Sequence, residues 1–242
     1  MKMFAAACAV LLMTGTAQAQ FVFNEGADAG QTLATARSTA VGAPGRAITG
    51  INGRIGSLPD ADLYRIYIAD PASFSAMVSN TGNSIAGTPS DLDTALFLFD
   101  GTGQAIATND DDGQSLLSAL PAGNARYANL AAGNYYLGIS NSGNEPVNSV
   151  NQLLFATYTG GDPTSIRGPA GGLNPTTLSN FNSNQGETNA SLATGGYIIT
   201  LTGVTTGVVA AVPEPAAWGL MLVGFAATGA TLRRRRRTLA SA

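Results

Sequence analysis

The sequence predicts an all-β protein: an antiparallel β-sandwich of jelly-roll type, flanked by an N-terminal signal peptide and a single C-terminal transmembrane helix. Three observations carry that prediction. Through the middle of the chain, apolar residues alternate with a period of two in short runs separated by Gly, Asn, Asp and Pro. Nothing in that body shows the three-to-four spacing of an amphipathic helix. Each end carries an apolar segment beside basic residues, an arrangement that belongs to export and membrane insertion and not to a core.

Residues 1–19 read MKMFAAACAVLLMTGTAQA. Lys2 is a short basic start, Met3 to Met13 an apolar run, and Ala17 and Ala19 form the small-x-small pair of a cleavage site before Gln20. The only cysteine, Cys8, leaves with this peptide, and the chain contains no histidine. Zinc sites built from Cys and His, Ser-His-Asp triads and Cys-His dyads are therefore excluded from the mature protein. Without disulfides, about 190 residues must hold themselves by their core alone, which is a sufficient size.

Residues 20–61 form an N-terminal region of weak alternation, in which Phe21 with Phe23, and Ile48 with Ile51, predict short edge strands. Residues 62–140 are the predicted sandwich core. In DLYRIYIAD, Tyr64, Ile66 and Ile68 share one face and Leu63, Arg65 and Tyr67 the other, and Asp70-Pro71 stops the strand. Phe74, Ala76 and Val78 alternate with Ser73, Ser75, Met77 and Ser79, the pattern of a strand with one solvated face. TALFLF, residues 94–99, is apolar on both faces, as in a strand covered from both sides. Asp100-Gly101-Thr102-Gly103 then reads as a hairpin turn that returns through QAIAT. GNYYLGIS places Tyr135, Leu137 and Ile139 on one face.

Residues 141–206 complete the body, with strands expected at LLFATY and GYIITLTGV. Between them, residues 160–196 are a long Gly, Asn, Thr, Ser and Pro segment. It is either a decorated surface loop or an insertion whose Leu173, Leu178 and Phe181 cover the sandwich. Residues 207–211 are a linker. Of the charges from Gln20 to Ala211, six are arginine and fourteen acidic, a net of −8. Such a field does not draw the body to nucleic acid.

DLYRIYI, DLDTALFLFDGTGQAIATNDDDG and AGNYYLGIS together resemble the bacterial pre-peptidase C-terminal domain and its relatives. That resemblance implies a small secreted β-sandwich acting as a binding or accessory module, although no peptidase accompanies it here. The best small-ligand candidates in the stretch are Asp91 and Asp93 at the start of one strand, and Asn109, Asp110, Asp111 and Asp112 at the end of its hairpin partner. Clustered carboxylates with a neutral oxygen donor suit Ca²⁺, the one cofactor expected; Asn, Asp and Gly are equally what loops prefer. Paired aspartates are also the chemistry of a hydrolase of extracellular polymer, the alternative function, yet loop-tip carboxylates in a polar setting lack a reason for a raised pKa. The expectation is thus a protein that is not an enzyme. Tyr64, Tyr67, Tyr127, Tyr135 and Tyr136 form either a sugar-stacking platform or strand packing.

The tail, residues 212–237, has three ordered parts. Pro213-Glu214-Pro215 is an extended strip with one charge, because two prolines fix φ and stop helix propagation. Ala216 to Leu232 carries no charge and spans about 26 Å as a helix, near the lower limit for a bilayer. Arg233, Arg234, Arg235, Arg236 and Arg237 halt translocation and remain cytoplasmic. This order resembles the PEP-CTERM sorting signal. The resemblance implies a protein handed from signal peptidase to an exosortase-type transpeptidase in a Gram-negative bacterium that makes extracellular polysaccharide, as in biofilms. It further implies membrane anchoring through the C-terminal helix before processing, and then a place in the cell envelope or extracellular matrix. An uncleaved single-pass anchor is the other reading of the same residues. Within this setting the body is expected to bind polysaccharide or calcium.

Overall fold

The computed structural model describes residues 20–80, 92–157, 162–183 and 194–207. The expected signal peptide, Asp91 and the tail from residue 208 lie outside the described residues. Among those described there are thirteen strands and no helix. They are β1 (Phe21–Asn24), β2 (Arg37–Ser38), β3 (Ile48–Ile55), β4 (Ala61–Ile68), β5 (Ser75–Asn80), β6 (Thr94–Phe99) and β7 (Ala105–Asn109). The remainder are β8 (Ala119–Leu120), β9 (Gly133–Asn141), β10 (Glu145–Val147), β11 (Asn180–Asn182), β12 (Gly195–Thr202) and β13 (Val204–Thr205).

One sheet has the order β1-β3-β12-β5-β8, the other β13-β4-β9-β6-β7 with β2 beside β4, and β10 and β11 pair separately. The chain passes back and forth between the two sheets: β3, β5, β8 and β12 lie in the first and β4, the hairpin β6–β7 and β9 in the second, each paired antiparallel. The expectation of a purely antiparallel body is corrected at two places. β1 runs parallel to β3, and β2 parallel to β4. Parallel neighbours need a crossover of a dozen or more residues, and the stretch from Glu25 to Ala47 supplies one for β1.

Period-two patterning places the core. Tyr64, Ile66 and Ile68 of β4, Ala76 and Val78 of β5, Tyr135, Leu137 and Ile139 of β9, and Tyr197, Ile199 and Leu201 of β12 meet between the sheets. Tyr64, Tyr127 and Tyr135 are buried in this cluster, which removes them from any sugar-stacking surface. The expected short edge strand at Ile48 and Ile51 is instead an eight-residue strand between β1 and β12. A register shift against β1, from Phe21↔Ile48 to Val22↔Gly50, lets two isoleucines three apart both face inward.

β6 is buried on both faces, as TALFLF suggested. Leu96 and Leu98 enter the core between the sheets, while Ala95, Phe97 and Phe99 enter a second cluster with Leu154, Phe155, Leu178 and Phe181. Phe97 lies 5.7 Å from Phe155 and 5.6 Å from Phe181 by ring centroids. Residues of the long polar segment therefore form a cover over the second sheet, with Leu173 packed at its margin. The described part of LLFATY, residues 153–157, is not a strand: Leu153 and Phe155 make only isolated bridges, to Val147 and Pro169. Leu154 and Phe155 both turn into the second cluster, which breaks the alternation that a strand requires.

Candidate functional site

The hairpin β6–β7 forms as its turn residues dictate. The Asp100 carboxylate accepts hydrogen bonds from the Thr102 amide at 2.8 Å, the Thr102 hydroxyl at 2.7 Å and the Gln104 amide at 2.9 Å. Gly103 adopts φ 87°, a conformation that glycine enters without a Cβ penalty. The start of β6 then lies beside the end of β7, with Leu96 opposite Asn109.

At that edge Ser142 connects two of the expected acidic positions. Its amide donates to the Asp93 carbonyl at 2.9 Å and its hydroxyl to Asp110 Oδ2 at 3.2 Å. The other candidates serve the local backbone. Asn109 Oδ1 accepts from the Ala119 amide at 2.7 Å and its Nδ2 donates to the Thr164 carbonyl at 3.1 Å. Asp112 Oδ1 takes the amides of Gln114 and Ser115, each at 2.7 Å. Those bonds hold the Asp112 pKa below its ordinary value against partial desolvation. Asp111 is shifted the opposite way, by burial first and then by the charges of Asp110 and Asp112.

A cation already stands at this edge. Arg167 is 8% exposed, donates through Nη1 to the Ala156 carbonyl at 2.8 Å, and places Nη2 3.7 Å from Glu145. Burial still dominates Glu145, raising its pKa to about 6; Arg167 opposes the shift and Asp110 adds to it.

The carboxylates that converge are elsewhere. Glu25, just after β1, Asp28 in the turn beyond it and Asp62 on β4 bring oxygens within 4.8 Å of one another. Asp62 belongs to the inward row of β4, two residues before Tyr64, and is 0% exposed. Its Oδ2 accepts the Tyr197 hydroxyl at 2.5 Å, and that hydroxyl is 2.7 Å from the hydroxyl of Tyr64. Its Oδ1 is buried and receives no hydrogen-bond donor. Glu25 is anchored by the Ala29 amide on Oε1 and the Arg54 amide on Oε2, each at 2.9 Å.

The electrostatics of this group are one-sided. Among the described residues, no guanidinium lies within 4.0 Å of any of the three carboxylates. Burial pushes Asp62 up to about 8 against the Tyr197 hydrogen bond; the charges of Glu25 and Asp60 also raise it, as does a hydrogen bond between the Asp62 and Glu25 carboxyls that lowers Glu25 in return. Glu25 is also raised, by burial first and also by the charge of Asp28. Asp60, close by, is raised by burial and by Asp28. Gly53 makes the approach possible: a Cβ there would fall on the Tyr197 hydroxyl and stand 2.7 Å from Glu25 Oε2. Three hard oxygen donors with excess negative charge and a buried oxygen without a donor can hold either a shared proton or a divalent cation of the calcium type.

Sequence reasoning passed over this group because its members are 37 residues apart at the extremes. One signal was available. Asp62 stands in the same alternating row as Tyr64, Ile66 and Ile68, and a carboxylate on a core face demands a partner.

The tail, whose Pro-Glu-Pro strip, apolar run and arginine cluster all lie outside the described residues, is matched by a protein-family model. The PEP-CTERM protein-sorting motif is found at residues 211–237. No curated protein matches the chain. The PEP-CTERM motif makes this an exported, exosortase-targeted protein that is anchored in the membrane before processing. Among the described residues, no helix is long and apolar enough to cross a membrane.

Proposed function

We propose that this protein is a component of the cell envelope or extracellular matrix, with a non-catalytic jelly-roll body that binds Ca²⁺ through Glu25, Asp28 and Asp62. The carrying observation is the convergence of Glu25, Asp28 and Asp62 oxygens within 4.8 Å of one another, with the buried Asp62 Oδ1 receiving no donor once its carboxyl is charged. A carboxylate oxygen in that position is stabilised by a proton or by a metal ion. An exported protein meets the millimolar calcium at which extracellular sites of this kind, with dissociation constants of about 10⁻⁴–10⁻³ M, are filled. The pre-peptidase-like pattern from Asp62 to Ser140 supports a binding rather than a catalytic role. So does the absence of His and of any Cys beyond Cys8. The PEP-CTERM motif supports export to the envelope, and a cation-stiffened sandwich suits a durable matrix element in that setting, in contact with extracellular polysaccharide.

Calorimetric titration of the mature, exported protein with CaCl₂ tests the reading. Expected is one site with sub-millimolar to millimolar affinity, lost in Asp28→Asn. Heat that persists in that variant would assign the binding to another site, and no heat at all in the wild type would remove calcium from the function.

A further inference from the structure

We propose that Gln20, once exposed as the mature N-terminus, closes to pyroglutamate, and that Arg46 promotes the closure. The inference rests on the export reading, with cleavage between Ala19 and Gln20.

Gln20 is exposed at the head of β1, while everything after it is tied down. The Phe21 amide donates to the Ala47 carbonyl at 3.0 Å, and the Thr49 hydroxyl donates to the Phe21 carbonyl at 3.4 Å. Arg46 Nη2 donates to the carbonyl of Gln20 itself at 3.3 Å, and its guanidinium lies 4.5 Å from the Phe21 ring centroid. The backbone of Gln20 is thus held from the carbonyl side, leaving its amine and its side chain to meet each other in solvent.

The step needs no co-reactant. The neutral α-amine attacks the side-chain Cδ, an N–Cδ bond forms, the Cδ–Nε2 bond breaks, and the nitrogen leaves as ammonia; the product is a five-membered lactam. Only the unprotonated amine is a nucleophile. An N-terminal amine here stands within roughly 7 Å of the Arg46 guanidinium, from standard backbone dimensions. A neighbouring positive charge disfavours the ammonium form, so more of the amine is reactive near neutral pH, where α-amino groups begin to titrate at about 7.7–8.0. Closure then removes one of two cations crowded at the start of the sheet, and it blocks the first residue against aminopeptidases.

Mass spectrometry of the N-terminal peptide from the full chain, exported by its host, tests this. The expected peptide begins at residue 20, lacks the mass of one ammonia and resists Edman degradation until pyroglutamyl aminopeptidase is added. In protein freshly released with a free terminus, Arg46→Gln should slow closure about two- to threefold, as expected for removing one nearby charge, and Arg46→Lys should restore the rate. A peptide beginning elsewhere overturns both the cleavage site and this inference. A peptide that begins at Gln20 and keeps its amine after prolonged incubation overturns the inference alone and leaves export intact. Equal closure rates in the wild type and Arg46→Gln overturn the role of Arg46.

Discussion

Asp62→Asn is the sharpest perturbation the structure offers. The carboxyl is held at about 8 instead of 3.8, so at pH 7 the folded protein retains a proton that the unfolded chain has released. At about 1.4 kcal/mol per pH unit, this costs on the order of 4 kcal/mol. Because the folded value is the raised one, the stabilisation is complete below the unfolded value and drains away as pH rises from 3.8 towards about 8. Asparagine keeps the shape, can still accept from the Tyr197 hydroxyl through its own oxygen, and offers Glu25 an NH₂ in place of the carboxyl proton that Asp62 shares with it. In EDTA at pH 7, Asp62→Asn should therefore melt roughly 8–16 °C above the wild type, taking about 2–4 °C per kcal/mol for a domain of this size. The fall in stability across the same pH range should flatten. In millimolar Ca²⁺ the wild type should gain about 1–2 kcal/mol and the variant nothing. Differential scanning calorimetry from pH 4 to 8, with EDTA and with CaCl₂, reads all three. A variant that melts below the wild type in EDTA and keeps both the pH slope and the calcium response would refute the reasoning.

Asp28→Asn removes the exposed member of the same group, and it should abolish the calcium-induced rise in melting temperature while changing stability in EDTA by less than about 0.5 kcal/mol. Glu145 sits at about 6 rather than 4.5, so it too withdraws stability as pH rises between those values. Urea titrations should show Glu145→Gln removing about 2 kcal/mol of that pH dependence. Phe97→Ala, which empties the cover between Phe155 and Phe181, should cost about 3–5 kcal/mol by the same measurement. Glu214→Ala is expected to leave residues 233–237 on the envelope-bound protein, as read by mass spectrometry of the C-terminal peptide, whereas the wild type loses them. An intact arginine run in the mature wild type would show an uncleaved anchor instead.

The residues differ in how much they disclosed in isolation. Tyr64, Ile66 and Ile68, or Tyr135, Leu137 and Ile139, revealed both strand and inward face, because a period of two is a local property that neighbouring residues enforce. TALFLF announced its two covers, although not what the outer one was made of. That Leu178 and Phe181 would fold back over Phe97 depends on a contact across some 80 residues of chain, and isolated apolar residues in a Gly and Asn background have no period to betray it. LLFATY misled for the converse reason. Its composition suits a strand, but strand structure requires a neighbour's backbone along its length, and the chain provides only single bridges there.

By itself, the sequence determined the address and the class. The Pro-Glu-Pro strip, the apolar span and the arginines of the sorting motif are contiguous text, so their meaning survives without a fold. Alternation and turn residues likewise settled an all-β body. Tertiary structure alone decided which acids act together. Of the aspartates adjacent in sequence, Asp110 takes the Ser142 hydroxyl and Asp112 the amides of Gln114 and Ser115, at a sheet edge where Arg167 already sits. Glu25, Asp28 and Asp62 meet because a parallel β1 lies against β3 and Gly53 leaves room beneath Tyr197. Coulomb repulsion and desolvation act through space, and only the folded chain sets those distances.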